Sequence, residues 1–236
     1  MELSKRKIIY NSWELLKGHF PIWVFIILFM FSLHIFISII QDRLLKEITV
    51  QTILFIVSSY LFQAGVNLGM IRLALNIHKN KAYEFKTIFQ SFHILFVYIA
   101  ASLIMLFILI CCSLPGIISF VLFSSIEFDS LSIINIFNNF LSFILILFII
   151  IPAAYISIRL QFYEYFLVDK ECGPINAIKL SLNCTRGYAG DLFIIGFIMS
   201  LIILVSMIPL LLGLFISIPL SIMVNTHIYL KITNDK

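Results

Sequence analysis

The chain alternates between long apolar runs and short basic, polar stretches. Residues 21–40 are apolar at every position except Ser32, His34 and Ser38. A membrane-crossing helix needs about 20 such residues, so the pattern predicts a first span over 21–40, ended by QDRLLKE at 41–47. A second span is predicted over 49–74, running up to Arg72. From Thr87 to Ile126 the chain carries no Asp, Glu, Lys or Arg for forty residues. One helix of that length would reach about 60 Å, about twice the hydrocarbon core. A break is therefore expected at CSLPG (112–116), because Pro and Gly together stop helices. That places a third span at 88–112 and leaves 117–125 on the outer surface or re-entering. A fourth span is expected within 131–160. Residues 192–230 are again uncharged, and a turn at PLLLG (209–213) divides them into spans near 191–210 and 213–231.

A short pattern recurs ahead of alternate spans. KIIYNSW at 7–13 resembles KTIFQSF at 86–92, and NAIKLSL at 176–182 keeps the Ile and the Ser. Aligned on Ser12, Ser91 and Ser181, each copy precedes an odd-numbered span. The first copy places Ile9, Trp13, Leu16 and Phe20 on one helical face, and the third places Ile175, Ile178, Leu182 and Thr185 together. The predicted unit is a cytoplasmic-side interfacial amphipathic helix followed by a transmembrane hairpin. Three units follow, approximately 4–78, 82–169 and 174–233, within a single integral membrane domain. Gly18 and Gly187 are the expected elbows, in the left-handed conformation that glycine reaches without a Cβ clash. Asp191 suits the positive end of the fifth span.

Composition agrees with a polytopic helical reading. Of 236 residues, 61% are hydrophobic and 12% charged, half the charge of a typical soluble domain at about 25%. The apolar runs are of helix length and do not alternate, which argues against an outer-membrane barrel. Fourteen Leu, Ile, Phe and Val in the first span give roughly −4 to −8 kcal/mol of insertion free energy, and no small-residue cleavage site follows. An uncleaved span is expected there rather than a signal peptide. Fourteen Lys and Arg fall in the segments assigned to one side, and only Arg43 and Lys46 in those assigned to the other. By the positive-inside rule both termini are expected in the cytoplasm, with 41–47, 113–130 and 209–213 outside. Cys111, Cys112, Cys172 and Cys184 have no metal-site spacing, so no cofactor is expected.

The stretch GPINAIKLSLNCTRGYAGDLF (173–193) resembles the G-x-x-x-A-(I/L)-(K/R)-x-S-x-x-x-(S/T)-(K/R)-G pattern of a bacterial family of six-span inner-membrane proteins of unknown function, the YciC-like group. It is similar to the membrane domain fused to some glycerophosphoryl diester phosphodiesterases. SLPGIISFVLF after the third span looks like that family's Pro-Gly turn. The resemblance implies a multi-pass fold and an inner-membrane location. It implies no catalytic residue.

Polar groups inside a membrane are functional candidates because burying them in hydrocarbon is costly. Asn67, on the second span with Gln63, Gly65 and Gly69, fits helix–helix hydrogen bonding beside close packing. Arg159, Tyr163 and Glu164 mark the end of the fourth span. Together with Arg72 they could form a basic ring near the inner headgroups. His227 is expected near the cytoplasmic end of the last span. No Ser-His-Asp set, H-E-x-x-H, phosphate loop or intramembrane carboxylate pair is visible. The expectation is a non-enzymatic, all-α integral membrane protein in a structural, accessory or lipid-interacting role. The alternative is a transporter or permease-like subunit for a lipid or hydrophobic solute. Membrane lipids are the implied partners, with another membrane protein as the further candidate. Nothing points to nucleic acid.

Overall fold

The computed structural model describes residues 4–44, 50–124, 144, 147, 149–208 and 212–234. The fold is all-α, with no strand among the described residues. The helices are α1 (Lys5–Gly18), α2 (Phe20–Leu44), α3 (Val50–His78), a 3₁₀ helix (Phe85–Ile94), α4 (Leu95–Ser124), α6 (Tyr163–Lys170), α7 (Pro174–Cys184), α8 (Ala189–Met207) and α9 (Leu214–Asn234). Residues 149–160 form the described part of α5. Five described helical stretches are long and apolar enough to cross a membrane: Phe20–Gln41, Val50–His78, Phe85–Ser119, Ala189–Met207 and Leu214–Asn234. Most of the fourth expected span, 131–160, lies outside the described residues.

The break expected at 112–116 does not occur. α4 runs through Pro115 to Ser124, so 117–124 continue the helix. Pro115 lacks an N–H and crowds the preceding turn. In an apolar environment, however, opening the helix would strand several backbone groups, and a continued helix strands fewer. Gly116 is buried, and a Cβ there would lie 2.5 Å from the Ile149 side chain, so α4 and α5 approach closely at this point. The candidate span Phe85–Ser119 contains the expected 88–112, and its first ten residues, 85–94, form a 3₁₀ helix. α8 ends at Met207 and α9 begins at Leu214, on either side of the turn expected at 209–213, of which 209–211 lie outside the described residues.

Burial is concentrated toward one end of the bundle. All but Thr52 and Ser59 of the buried residues of α3 lie between Gly65 and Ile77, and those of α8 lie between Leu192 and Met199. Half of the α9 span lies inside the protein, against 11% of the span running through α4, so α9 is central and α4 peripheral. The core is one cluster drawn from all three repeat units, including Ile8 and Trp23, Ile88 and Phe166, Ile178 and Tyr229. Elsewhere large apolar side chains are exposed along α2, α4 and α8, among them Phe36, Phe96, Phe107 and Phe197. An apolar surface this extended on a monomer marks contact with a membrane or a partner.

The buried faces of the short helices are rotated from the expected ones. On α1 the buried residues are Ile8, Ser12 and Leu16, with Ile9 and Trp13 to the side. On α7 they are Ala177, Ile178, Ser181 and Cys184, whereas Ile175 is 56% exposed. In the 3₁₀ helix Ile88, Ser91 and Ile94 are buried, the three-residue spacing that a 3₁₀ helix aligns on one face. The repeated serine thus sits at the centre of each buried face. Hydropathy misplaces it because it counts a hydroxyl as a solvent group.

Candidate functional site at the basic end of the bundle

The short helix of each repeat unit packs on helices of another unit. The 3₁₀ helix lies on α3, α7 lies on α4 and α6, and α1 lies on α9. Ser12, Ser91 and Ser181 are all fully buried at these junctions.

At the first junction Arg72 donates from Nε to Ser91 Oγ at 2.9 Å and from a terminal nitrogen to Glu171 Oε1 at 2.7 Å. His93 Nε2 lies 3.3 Å from the same carboxylate oxygen. Glu171 ends α6 with φ +47°, a region that costs a non-glycine residue of order 1 kcal/mol or more. That backbone aims its carboxylate at the arginine. The Arg72 hydrogen bond, then its charge, holds the Glu171 carboxyl below the usual glutamate range. Sequence reasoning missed Glu171, because nothing local distinguishes it from other loop acids.

At the second junction the chain breaks between α5 and α6. The break frees the Arg159 carbonyl and the Phe162 amide, which buried backbone cannot leave unpaired. Ser181 Oγ donates to Arg159 O at 2.9 Å and accepts from Phe162 N at 3.3 Å, and Thr185 Oγ1 donates to Arg159 O at 3.0 Å. The Arg159 guanidinium donates to Leu182 O and lies over the Tyr155 ring, while its Nε is buried without a described partner. Arg72 and Arg159 therefore hold different junctions. A missed signal exists here: Ile71-Arg72-Leu73 and Ile158-Arg159-Leu160 recur as Ile228-Tyr229-Leu230.

Tyr163 and Glu164 are brought together with α4. Tyr163 OH donates to Glu164 Oε1 at 3.2 Å, Tyr98 OH approaches the same oxygen at 3.5 Å, and Ser102 Oγ lies 3.1 Å from Tyr163 OH. Burial pushes the Glu164 carboxyl above the usual range, against the two tyrosine hydrogen bonds. The Tyr163 phenol is also pushed up, first by burial and then by the Glu164 charge. Asp169 on α6 ties the three units together: it pairs with Lys79 after α3 and accepts from Tyr229 OH at 3.1 Å.

The remaining expected positions are separate. Asn67 is half-buried on α3. Gly187 has φ +90° at the turn into α8, but Gly18 has no positive φ. Gly18 instead ends α1, and the turn passes through His19 at φ −124°, so the elbow there needs no glycine. Asp191, in the first turn of α8, forms a 3.0 Å ion pair with Lys5 of α1. His227 packs edge to face with His78, ring centroids 5.7 Å apart. No group of three or more metal-ligating side chains occurs among the described residues.

Compared with known proteins, the chain matches no family model, no curated protein and no solved structure.

Proposed function

We propose that this chain is a non-enzymatic, multi-pass protein of the bacterial inner membrane, of the kind its sequence resemblance implies. Its role is structural or accessory, and its basic end engages lipid. The observation that carries this reading is segregation. The ion pairs Lys5–Asp191, Arg72–Glu171 and Lys79–Asp169 join the short helices to the ends of the long ones. Bare apolar side chains cover α2, α4 and α8. Juxtamembrane basic residues attract anionic headgroups, while exposed apolar helices suit acyl chains. Native mass spectrometry of the gently purified protein tests the reading. Retained phospholipid supports it, and a lipid-free chain stable in water without detergent overturns it.

A second reading, a permease-like subunit for a lipid or hydrophobic solute, is favoured by Glu164. Its carboxylate sits among Tyr98, Tyr163 and Ser102, where burial raises its proton affinity. Uptake that depends on Glu164 in reconstituted vesicles would support this reading over the first.

A further inference from the structure

The three junctions are not equivalent. Arg72 and Arg159 hold the first two, but the matching position on α9 is Tyr229, which turns to Asp169. Ser12 Oγ, fully buried on α1, has no described partner, whereas Ser91 and Ser181 both do. Beside this third junction opens an apolar groove of about 500 Å³, lined by Lys5, Arg6, Ile9 and Trp13 of α1, Ile198 of α8 and Leu220 of α9. That volume is within the usual range of ligand sites, about 300–1,000 Å³.

We propose that this groove binds one anionic phospholipid, with its phosphate on Arg6 and Lys5 and an acyl chain against Ile9, Ile198 and Leu220. Charge complementarity selects this occupant. Both charged residues lining the groove are cations, and the nearby acid, Asp191, is already paired with Lys5 at 3.0 Å. Arg6 is exposed and pairs with no described residue. Lys5 and Arg6 line the groove together with Ile198, which lies seven residues beyond Asp191 along α8, about 10 Å of helix. Trp13 at the wall suits the boundary between headgroup and acyl chain, where indole is favoured. At the other junctions the protein supplies its own arginine. Here the cation left without a described partner, Arg6, stands exposed on the short helix, where a phosphate can meet it. The proposal rests on the lipid-facing reading of the chain.

The test uses the full chain in nanodiscs of equal parts phosphatidylglycerol and phosphatidylcholine, followed by native mass spectrometry of the released protein. Phosphatidylglycerol should be retained over phosphatidylcholine by about fivefold or more, since one basic residue near a headgroup is worth about that factor. Arg6→Gln should abolish most of the preference. Lys7→Gln removes the same charge from an exposed position that does not line the groove, and should leave the preference in place. Ile198→Trp should displace the lipid with no change of charge. Equal retention of the two lipids by the unaltered chain overturns the proposal, as does an equal loss in Arg6→Gln and Lys7→Gln. A chain that fails to enter the nanodisc at all overturns instead the membrane reading beneath it.

Discussion

Gly69 of α3 faces the carbonyl of Ile88 so closely that a Cβ built on it would lie 2.0 Å from the oxygen. Backbone meets backbone there, so neither side can yield by rotating a side chain. Gly69→Ala should push the 3₁₀ helix off α3 and destabilise the protein by roughly 1–3 kcal/mol, the usual range for overpacking. Gly65→Ala meets only the Phe92 ring, at 2.6 Å, which can swing aside, so its cost should be smaller. Gly196→Ala meets nothing within 4 Å and should not lower stability. Thermal unfolding in detergent, followed by tryptophan fluorescence, ranks the three. A Gly69→Ala midpoint equal to that of the unaltered chain would remove the close contact from the account.

The two glycines that share a sequence context should separate. Gly187 holds φ +90°, so Gly187→Val should cost about 1 kcal/mol or more. Gly18 lies at the helical end of α1 with open space around its Cβ position. Gly18→Ala should be neutral or stabilising, by up to about 1 kcal/mol. Paired unfolding curves decide, and equal losses at both sites would restore the symmetric elbow.

The three repeated serines offer a sharper comparison. Ser91→Ala leaves Arg72 Nε without its 2.9 Å acceptor, and a hydrogen bond to a charged group is worth about 1.5–3 kcal/mol. Ser181→Ala removes the donor to Arg159 O and the acceptor for Phe162 N, although Thr185 still donates to Arg159 O. Ser12 Oγ has no described partner, so Ser12→Ala should be neutral or stabilising. The order of midpoints should place Ser12→Ala highest. If Ser12→Ala proves the most damaging of the three, the junctions are not arranged as described.

Much of this fold was legible from the sequence. Apolar runs of about twenty residues locate α2, α3, α8 and α9, because span length is set by the bilayer and needs no tertiary information. The serine alignment finds three buried positions. Two features were not legible. Pro115 reads as a helix stop by propensity, yet the cost of exposing backbone in apolar surroundings overrides it. The partners of the serines lie far along the chain, 19 residues to Arg72 and 22 to Arg159, and Glu171 meets Arg72 across 99 residues. Such pairings follow from packing and leave no local periodicity. The Ile-Arg-Leu recurrence was readable and would have marked both arginines as junction residues.

Two acids should give opposite pH responses. Glu171 has its pKa lowered by Arg72, so the stability it contributes is present at neutral pH and is lost as pH falls below the ordinary glutamate range. Glu171→Gln should lower the midpoint at pH 7 and should make no difference in strong acid. It is half exposed, so the effect is modest. Glu164 has its pKa raised by burial. Its favourable contribution belongs to the protonated form, present below the ordinary range and lost as pH rises through the raised pKa. Glu164→Gln keeps an acceptor for Tyr163 and Tyr98, and should raise the midpoint at pH 7 while matching the unaltered chain near pH 4. Melting curves across that interval test both signs.

By the positive-inside rule the packed, basic end of the bundle is expected to face the cytoplasm. Single cysteines at Asn80 and Phe128, in a background lacking the four native cysteines, can be probed in intact cells with a membrane-impermeant maleimide. Asn80 follows α3 at the basic end, is exposed, and has a positive φ of 52°. Phe128 lies in the segment that the sequence assigns to the outside. Asn80→Cys should stay unlabelled until the cells are opened, and Phe128→Cys should label at once. Labelling of Asn80→Cys in sealed cells would contradict the account, because the fourteen basic residues assigned to that side would then face outward.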